Sequence, residues 1–305
     1  MKQVSRAVAV LALAALAAVP SAWPDVAHAA QSQAVTLHHV HGLAYSADGK
    51  QIFIPSHYGL AVYSESRWSK APGPEHDYMG FSVTKQFFYS SGHPAQGAGL
   101  INPFGLLKSR DGGRTWDKLG LEGESDFHVL ATSYGTNAIY VFTHAPNSRM
   151  NKAGIYSTAN DGVSWKRAQG KGLEGEPASL AVHPSDSHIV AAGTKSGLFL
   201  STDGGDNFKR LAGGQQVFAS FFDMDGKHLW FGSYDGKPAL NRLNWGSGKK
   251  TAIDLPPLTR DAVAYIAQNP VKRDEYAIAT FERSVYLTKD QGKTWTQIAS
   301  RGQTQ

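Results

Sequence analysis

An eight-residue pattern occurs four times in this chain, and its spacing restricts the fold more than any other feature. The first copy runs Ser109-Arg110-Asp111-Gly112-Gly113-Arg114-Thr115-Trp116. The others pass from Thr158 through Asn160, Gly162 and Ser164 to Trp165, from Ser201 through Asp203, Gly205 and Asn207 to Phe208, and from Thr288 through Asp290, Gly292 and Thr294 to Trp295. With the acid or its amide as reference, the intervals are 49, 43 and 87 residues, the last close to two periods. A fixed period of this size means stacked copies of one supersecondary unit.

Each period accommodates four short strands rich in β-branched and aromatic residues. Six such units start at His41, Met79, His128, Ser179, Phe218 and Val263. They finish near Trp68 and at Leu119, Ala168, Leu211, Ile253 and Ile298. Turn signals such as Ala47-Asp48-Gly49 and Asp223-Met224-Asp225-Gly226 separate the strands. The expected fold is all-β, a six-bladed β-propeller with four-stranded blades; a seven-bladed ring would need roughly 40 further residues. Ala34 to Leu37 could supply an additional closing strand.

Residues 1–29 read as an export signal: Lys2 and Arg6 precede an apolar run from Ala7 to Val19, and Ala27-His28-Ala29 offers a cleavage site. Residues 30–305 form the expected single propeller domain, periplasmic or secreted, monomeric and without a membrane span. The chain has no cysteine, which removes disulfides, thiolate metal sites and cysteine nucleophiles. The formal charge of +5 comes from scattered basic residues instead of a clustered patch, so nucleic acid is not an expected partner.

The eight-residue pattern resembles the Asp-box (BNR repeat) of sialidases, photosystem II assembly-factor-like propellers and sortilin-type receptor domains. Asn160 and Phe208 depart from the pattern, and Trp68 and Trp245 keep only traces of it in the first and fifth units. Exported chains with a start like His41-Gly42-Leu43 also resemble bacterial glycosyl-hydrolase-like proteins. The resemblance implies a structural role for Asp111, Asn160, Asp203 and Asp290. A short acid accepts backbone N–H groups in a tight hairpin, and the aromatic residue packs between blades. These hairpins join third to fourth strands, away from the face where propeller sites form.

Connections between second and third strands, and from blade to blade, emerge on that other face. His39, His41, His57, His76, His93, His128 and His144 all fall there, in the first three units, whereas His183, His188 and His228 fall on the hairpin side and are expected to be solvated. The position of His41 is filled by Met79, His128, Ala178, Phe218 and Ala264 in the later units. Two residues earlier stand His39, Asp77, Asp126, Glu176, Gln216 and Ala262. At the ends of the second strands stand His57, His93, His144, Lys195, Tyr234 and Glu282.

Imidazole with thioether suits copper, and imidazole with carboxylate suits zinc or iron. The expected metal ligands are a subset of His39, His41, His57, His93, His128, His144 and Met79. Copper or zinc is the candidate cofactor, and a protein or metal-bearing partner the candidate ligand. Hydrogen bonding in the channel is the competing use of the same imidazoles.

The alternative is a glycoside hydrolase acting on a glycan with Asp77, Asp126, Asp261 and Glu282, near Tyr234 or Tyr265. Two carboxylates would have to lie ~5 Å or ~6.5–9.5 Å apart. The arginine clasp of a sialidase is missing. Arg110, Arg114, Arg167 and Arg210 belong to the hairpins, and Arg149, Arg260 and Arg283 do not start inner strands. A non-catalytic binding or assembly role is the favoured expectation, with enzymatic activity left open.

Overall fold

The computed structural model describes residues 35–305; the expected export signal at 1–29 lies outside the described residues. Six antiparallel sheets follow one another along the chain, each with its strands in sequence order from the inside outwards. The first strands are Ala44–Tyr45, Asp77–Val83, Leu130–Thr132, Pro177–Val182, Gln216–Phe222 and Val263–Gln268. Each touches the first strand of the next blade, and the sixth touches the first. The protein is a six-bladed β-propeller.

Burial explains why the sheets stand radially. Six clusters of buried apolar side chains each draw on two adjacent blades, as where Ile54 and Leu43 of blade one meet Ala277, Val285 and Ile298 of blade six. No blade has a core of its own, so each face finds its apolar partner on a neighbour. Within strands, buried and exposed positions follow this two-sided packing, and Ile139–Thr143, Val190–Thr194 and Tyr276–Thr280 are buried throughout.

Ring closure uses both ends of the described chain. A short strand, Gln303–Thr304, adds to the outer edge of blade six, and Thr36 bridges Gln303 in antiparallel sense. Leu37 N–H donates to the Gly302 carbonyl at 2.8 Å. Trp68, in the outer strand of blade one, donates from Nε1 to the Ile298 carbonyl at 3.0 Å.

The repeated hairpins share one bonding scheme. In the first, Ser109 Oγ donates to Asp111 Oδ1 at 2.9 Å and accepts Gly113 N–H at 2.8 Å. Asp111 then accepts Thr115 N–H at 2.9 Å and the Thr115 hydroxyl at 2.7 Å. Asn160 repeats this with its amide, accepting Ser164 N–H at 3.0 Å and donating to Ser164 Oγ at 2.9 Å. Trp116, Trp165, Phe208 and Trp295 pack into four of the inter-blade clusters.

Asp290 titrates low, at about 2, because the hydroxyls of Thr294 and Thr288 and the Thr294 N–H hold its carboxylate. A pKa lowered by folding contributes stability above the ordinary value of 3.8 and gives it up as the pH falls through the folded value. Asp290→Ala should therefore lower the melting temperature by a few degrees at neutral pH, and the gap to the parent should narrow from about pH 4 to about pH 2. Asp290→Asn should cost less, since Asn160 does the same work. A gap that persists undiminished at low pH contradicts this account.

Removing Trp68 empties one side of the closure. Trp68→Ala should cost about 3–5 kcal/mol in denaturant unfolding, and a loss below about 1 kcal/mol would show that the ring does not depend on this contact.

Candidate metal centre

A channel of about 330 Å³ follows the ring axis between the six first strands. His41, His128, Ala178, Phe218 and Ala264 all line it, as the aligned positions predict. Blade two is the exception. Its first strand carries a bulge between Met79 and Ser82, and Gly80 stands at the channel instead. A side chain at Gly80 would come within 1.8 Å of the Phe127 carbonyl oxygen, so only glycine permits this crossing. Met79 is buried in blade two, with its carbonyl taken by Ser90 Oγ at 2.8 Å.

Three of the seven expected ligands converge. His39, His41 and His57 each offer a ring nitrogen, and these nitrogens lie within 4.8 Å of one another. Ring centroids are 4.4 Å apart for His39–His57, 5.3 Å for His41–His57 and 5.5 Å for His39–His41. Three imidazoles on one tetrahedral zinc, with Zn–N of ~2.0–2.1 Å, place their centroids ~5 Å apart.

Asp77 closes the fourth side. Its Oδ1 lies 3.6 Å from His41 Nε2 and its Oδ2 lies 3.7 Å from His57 Nδ1. Both separations are too long for hydrogen bonds and close to the ~3.4 Å edge of a tetrahedral N/O coordination shell. His41 Nε2 and Asp77 Oδ1 are buried, and neither has a hydrogen-bond partner among the described residues.

Local backbone geometry holds these groups in place. His41 N–H donates to the Pro55 carbonyl at 3.1 Å, tying the chain before blade one to its second strand. Asp77 pairs with His93 across blade two, and the intervening Gly92 would bring a Cβ within 2.0 Å of the Asp77 carbonyl oxygen.

Burial, reinforced by His57 and His39 and opposed by Asp77, lowers the pKa of His41 to about 4. His39 is lowered too, by partial burial and then by His57. Neutral imidazoles present the free lone pair that a metal ion requires.

The next pair of imidazoles is organised differently. Asp126 Oδ2 lies 2.6 Å from His128 Nε2 and 3.0 Å from His93 Nε2. His93 Nδ1 meets Asn102 Oδ1 at 2.7 Å. The Asp126 hydrogen bond raises the pKa of His128 against the effect of its burial. Burial of Asp126 works against its charge, yet the hydrogen bonds and charges of His128 and His93 outweigh it and lower its pKa.

His144 stands apart, exposed, 3.7 Å from Glu176 Oε2. His76 is committed to the fold, accepting Ala95 N–H at 3.0 Å.

Of the remaining carboxylates on this face, Asp261 spends Oδ1 on the N–H groups of Ala262 and Glu282 at 2.8 and 3.0 Å. Glu282 is exposed on the turn that follows. Asp77 therefore belongs with the imidazoles, a grouping missed in sequence, where its alignment with His39 and Asp126 was the available signal.

On the hairpin side, Asp223, Asp225 and His228 also cluster. There the Arg242 guanidinium sits 2.7 Å from Asp223 and 3.5 Å from Asp225, supplying the positive charge itself. Of the three hairpin-side histidines, His188 is exposed as expected, whereas two are bound: His228 meets Asp225 Oδ2 at 2.6 Å, and His183 bonds the Gly226 carbonyl while accepting Ser185 and Asp186 N–H groups. Short polar turns bring acceptors and donors to both rings, which a strand count does not reveal.

No family model matches the chain, and no curated protein sequence matches it. Solved propellers do. A GH74 xyloglucanase from Xanthomonas campestris superposes with a TM-score of 0.57 at 15% identity, over 88% of this chain and 46% of the enzyme. The GH74 enzyme of Niastella koreensis gives 0.58 at 16% identity, over 88% and 46%. YCF48 bound to D1 peptide gives 0.50 at 17% identity, over 87% and 84%. This chain spans less than half the length of the two GH74 enzymes, and likeness at these identities is likeness of fold.

If Asp126 sets the charge of His128, Asp126→Asn should lower the His128 pKa, read from its imidazole proton shifts in an NMR titration. An unmoved titration would show that the 2.6 Å contact does not govern that ring.

Proposed function

We propose that this chain is an exported, non-catalytic propeller of the binding or assembly kind, whose channel mouth holds one divalent transition-metal ion on His39, His41, His57 and Asp77. One observation carries the reading. Two buried atoms that both attract cations, His41 Nε2 and Asp77 Oδ1, face each other at 3.6 Å with nothing to satisfy either. A buried unsatisfied polar atom costs about 1–3 kcal/mol, and an ion between these two would relieve both costs at once. The remaining two imidazoles complete a shell of borderline donors.

Three imidazoles and a carboxylate favour zinc among the candidate metals. Cuprous copper would want the thioether of Met79, which is buried away from the channel lining. His93 and His128 serve Asp126, and His144 pairs with Glu176, so they lie outside the proposed shell.

A binding role draws support from the use of three of the four candidate carboxylates: Asp77 and Asp126 face imidazoles, and Asp261 engages backbone. YCF48 bound to D1 peptide shows a propeller of similar fold engaging a peptide. Export follows from the composition of residues 1–29, and the repeated hairpins are Asp-boxes in this reading.

Purified protein incubated with zinc and desalted should retain one ion per chain by mass spectrometry. His41→Ala and His57→Ala should reduce retention to background, Asp77→Asn should weaken it about 10–100-fold, and His144→Ala should leave it unchanged. Absence of retained zinc in the parent protein, or equal loss in His144→Ala, would overturn the assignment.

A further inference from the structure

His41, one of the four proposed metal ligands, also lines the axial channel. The channel volume of about 330 Å³ lies within the range of small-molecule sites. Among its lining residues are His41 and His128 but no lysine, arginine, aspartate or glutamate. Polar groups deeper in the wall already have partners. Ser82 Oγ and Thr132 Oγ1 are 2.8 Å apart, and Ser179 Oγ and Ser220 Oγ are 3.0 Å apart. Gln268 binds the Arg273 carbonyl, the Tyr276 hydroxyl and Met224 N–H. Apart from the hydroxyls of Tyr45, Tyr134 and Tyr265, this part of the wall has its side-chain donors and acceptors paired, and the surface it presents is largely apolar.

The mouth itself is divided. His41 and His128 stand on the side of blades one and three, and Phe218 and Phe281 stand on the side of blades five and six. The two phenylalanines pack edge to face with centroids 5.2 Å apart, and Phe281 is 56% exposed, an apolar ring left at the lip. Ala178 lies between the two sides with a side chain too small to fill the opening.

We propose that the channel binds a small amphiphilic carboxylic acid. Its carboxylate lies at the His41–His128 side, and its apolar body runs down the axis past Ala178, Phe218 and Phe281. The assignment rests on the metal reading for one of two contacts to the head group: a dipositive ion held by a single carboxylate keeps a net positive charge, which attracts the head group without needing a vacant ligand position. The other is the ring of His128, which lines the channel and is held through Nε2 by Asp126. A carboxylate satisfies a cation and an N–H donor together, which an alcohol or amide head does less well.

The same wall argues against a sugar in the channel. The many hydroxyls of a sugar would be stripped of water in a wall with few free side-chain groups to replace it. An aryl or acyl chain loses nothing there and gains burial.

Calorimetry on the full protein, with and without zinc, tests this with octanoate as probe and with acetate and octanamide as controls. Octanoate should bind the zinc-loaded protein at least about tenfold more tightly than acetate, which lacks the body, or octanamide, which lacks the charge. Ala178→Trp, at an exposed position, should weaken octanoate binding about tenfold while zinc retention is unchanged, and Phe281→Ala should weaken it in the same direction.

Zinc retention without octanoate binding, or octanoate binding unaffected by Ala178→Trp, overturns the channel proposal and leaves the metal assignment standing. Octanoate binding that Ala178→Trp abolishes in a protein retaining no zinc supports the channel and overturns the metal assignment.

Discussion

Everything in this molecule depends on blades that cannot bury their own faces. Each sheet is apolar on both sides, and its partner on either side is the next sheet in the ring. An open arc would leave two such faces in water, so closure is part of the core. The chain closes the arc by placing Val35 and Leu37 in the cluster shared by blades one and six and by bridging Thr36 to Gln303. The Trp68 Nε1 bond to the Ile298 carbonyl crosses the same seam. Six stacked units thus become a rigid ring, and rigidity brings residues as distant as His41 and Phe281 to one channel.

Much of this architecture was legible in the chain because the repeat is a backbone requirement. A hairpin that must satisfy four donors and acceptors in eight residues tolerates few substitutes, and those tolerated, Asn160 for aspartate and Phe208 for tryptophan, preserve the bonding or the packing. The channel mouth was legible for the same reason. Once the inner strands are aligned on the hairpins, five of the six aligned positions line the channel.

The sixth position shows where such reasoning stops. Met79 aligns with His41, yet the bulge in blade two moves the register and places Gly80 at the axis. A bulge inserts one residue without altering composition, and only the 1.8 Å approach to the Phe127 carbonyl reveals why a glycine stands there. The division of the imidazoles was hidden too. Seven histidines on one face look like one population. Whether a given ring meets other imidazoles, as His39, His41 and His57 do, or a carboxylate at hydrogen-bonding distance, as His93 and His128 do, depends on side-chain directions. Those directions follow from turns, and strand counting is blind to them.

The two groupings are also distinguished by what remains unsatisfied. Other buried polar atoms without partners among the described residues are Ser56 Oγ, Asn137 Oδ1, Trp165 Nε1, Trp230 Nε1 and Asp126 Oδ1, the last in a carboxylate whose other oxygen meets His93 and His128. The first four are neutral groups whose cost a large core can absorb. His41 Nε2 and Asp77 Oδ1 differ because they face each other at 3.6 Å. If the pair served stability alone, a shift of a few tenths of an ångström would convert 3.6 Å into a hydrogen bond. The fold keeps them apart: His41 is tied to Pro55, and Asp77 is packed behind Gly92. A separation too wide for a proton and suited to a metal ion, maintained by backbone on both sides, is the geometry expected of a site shaped for a guest.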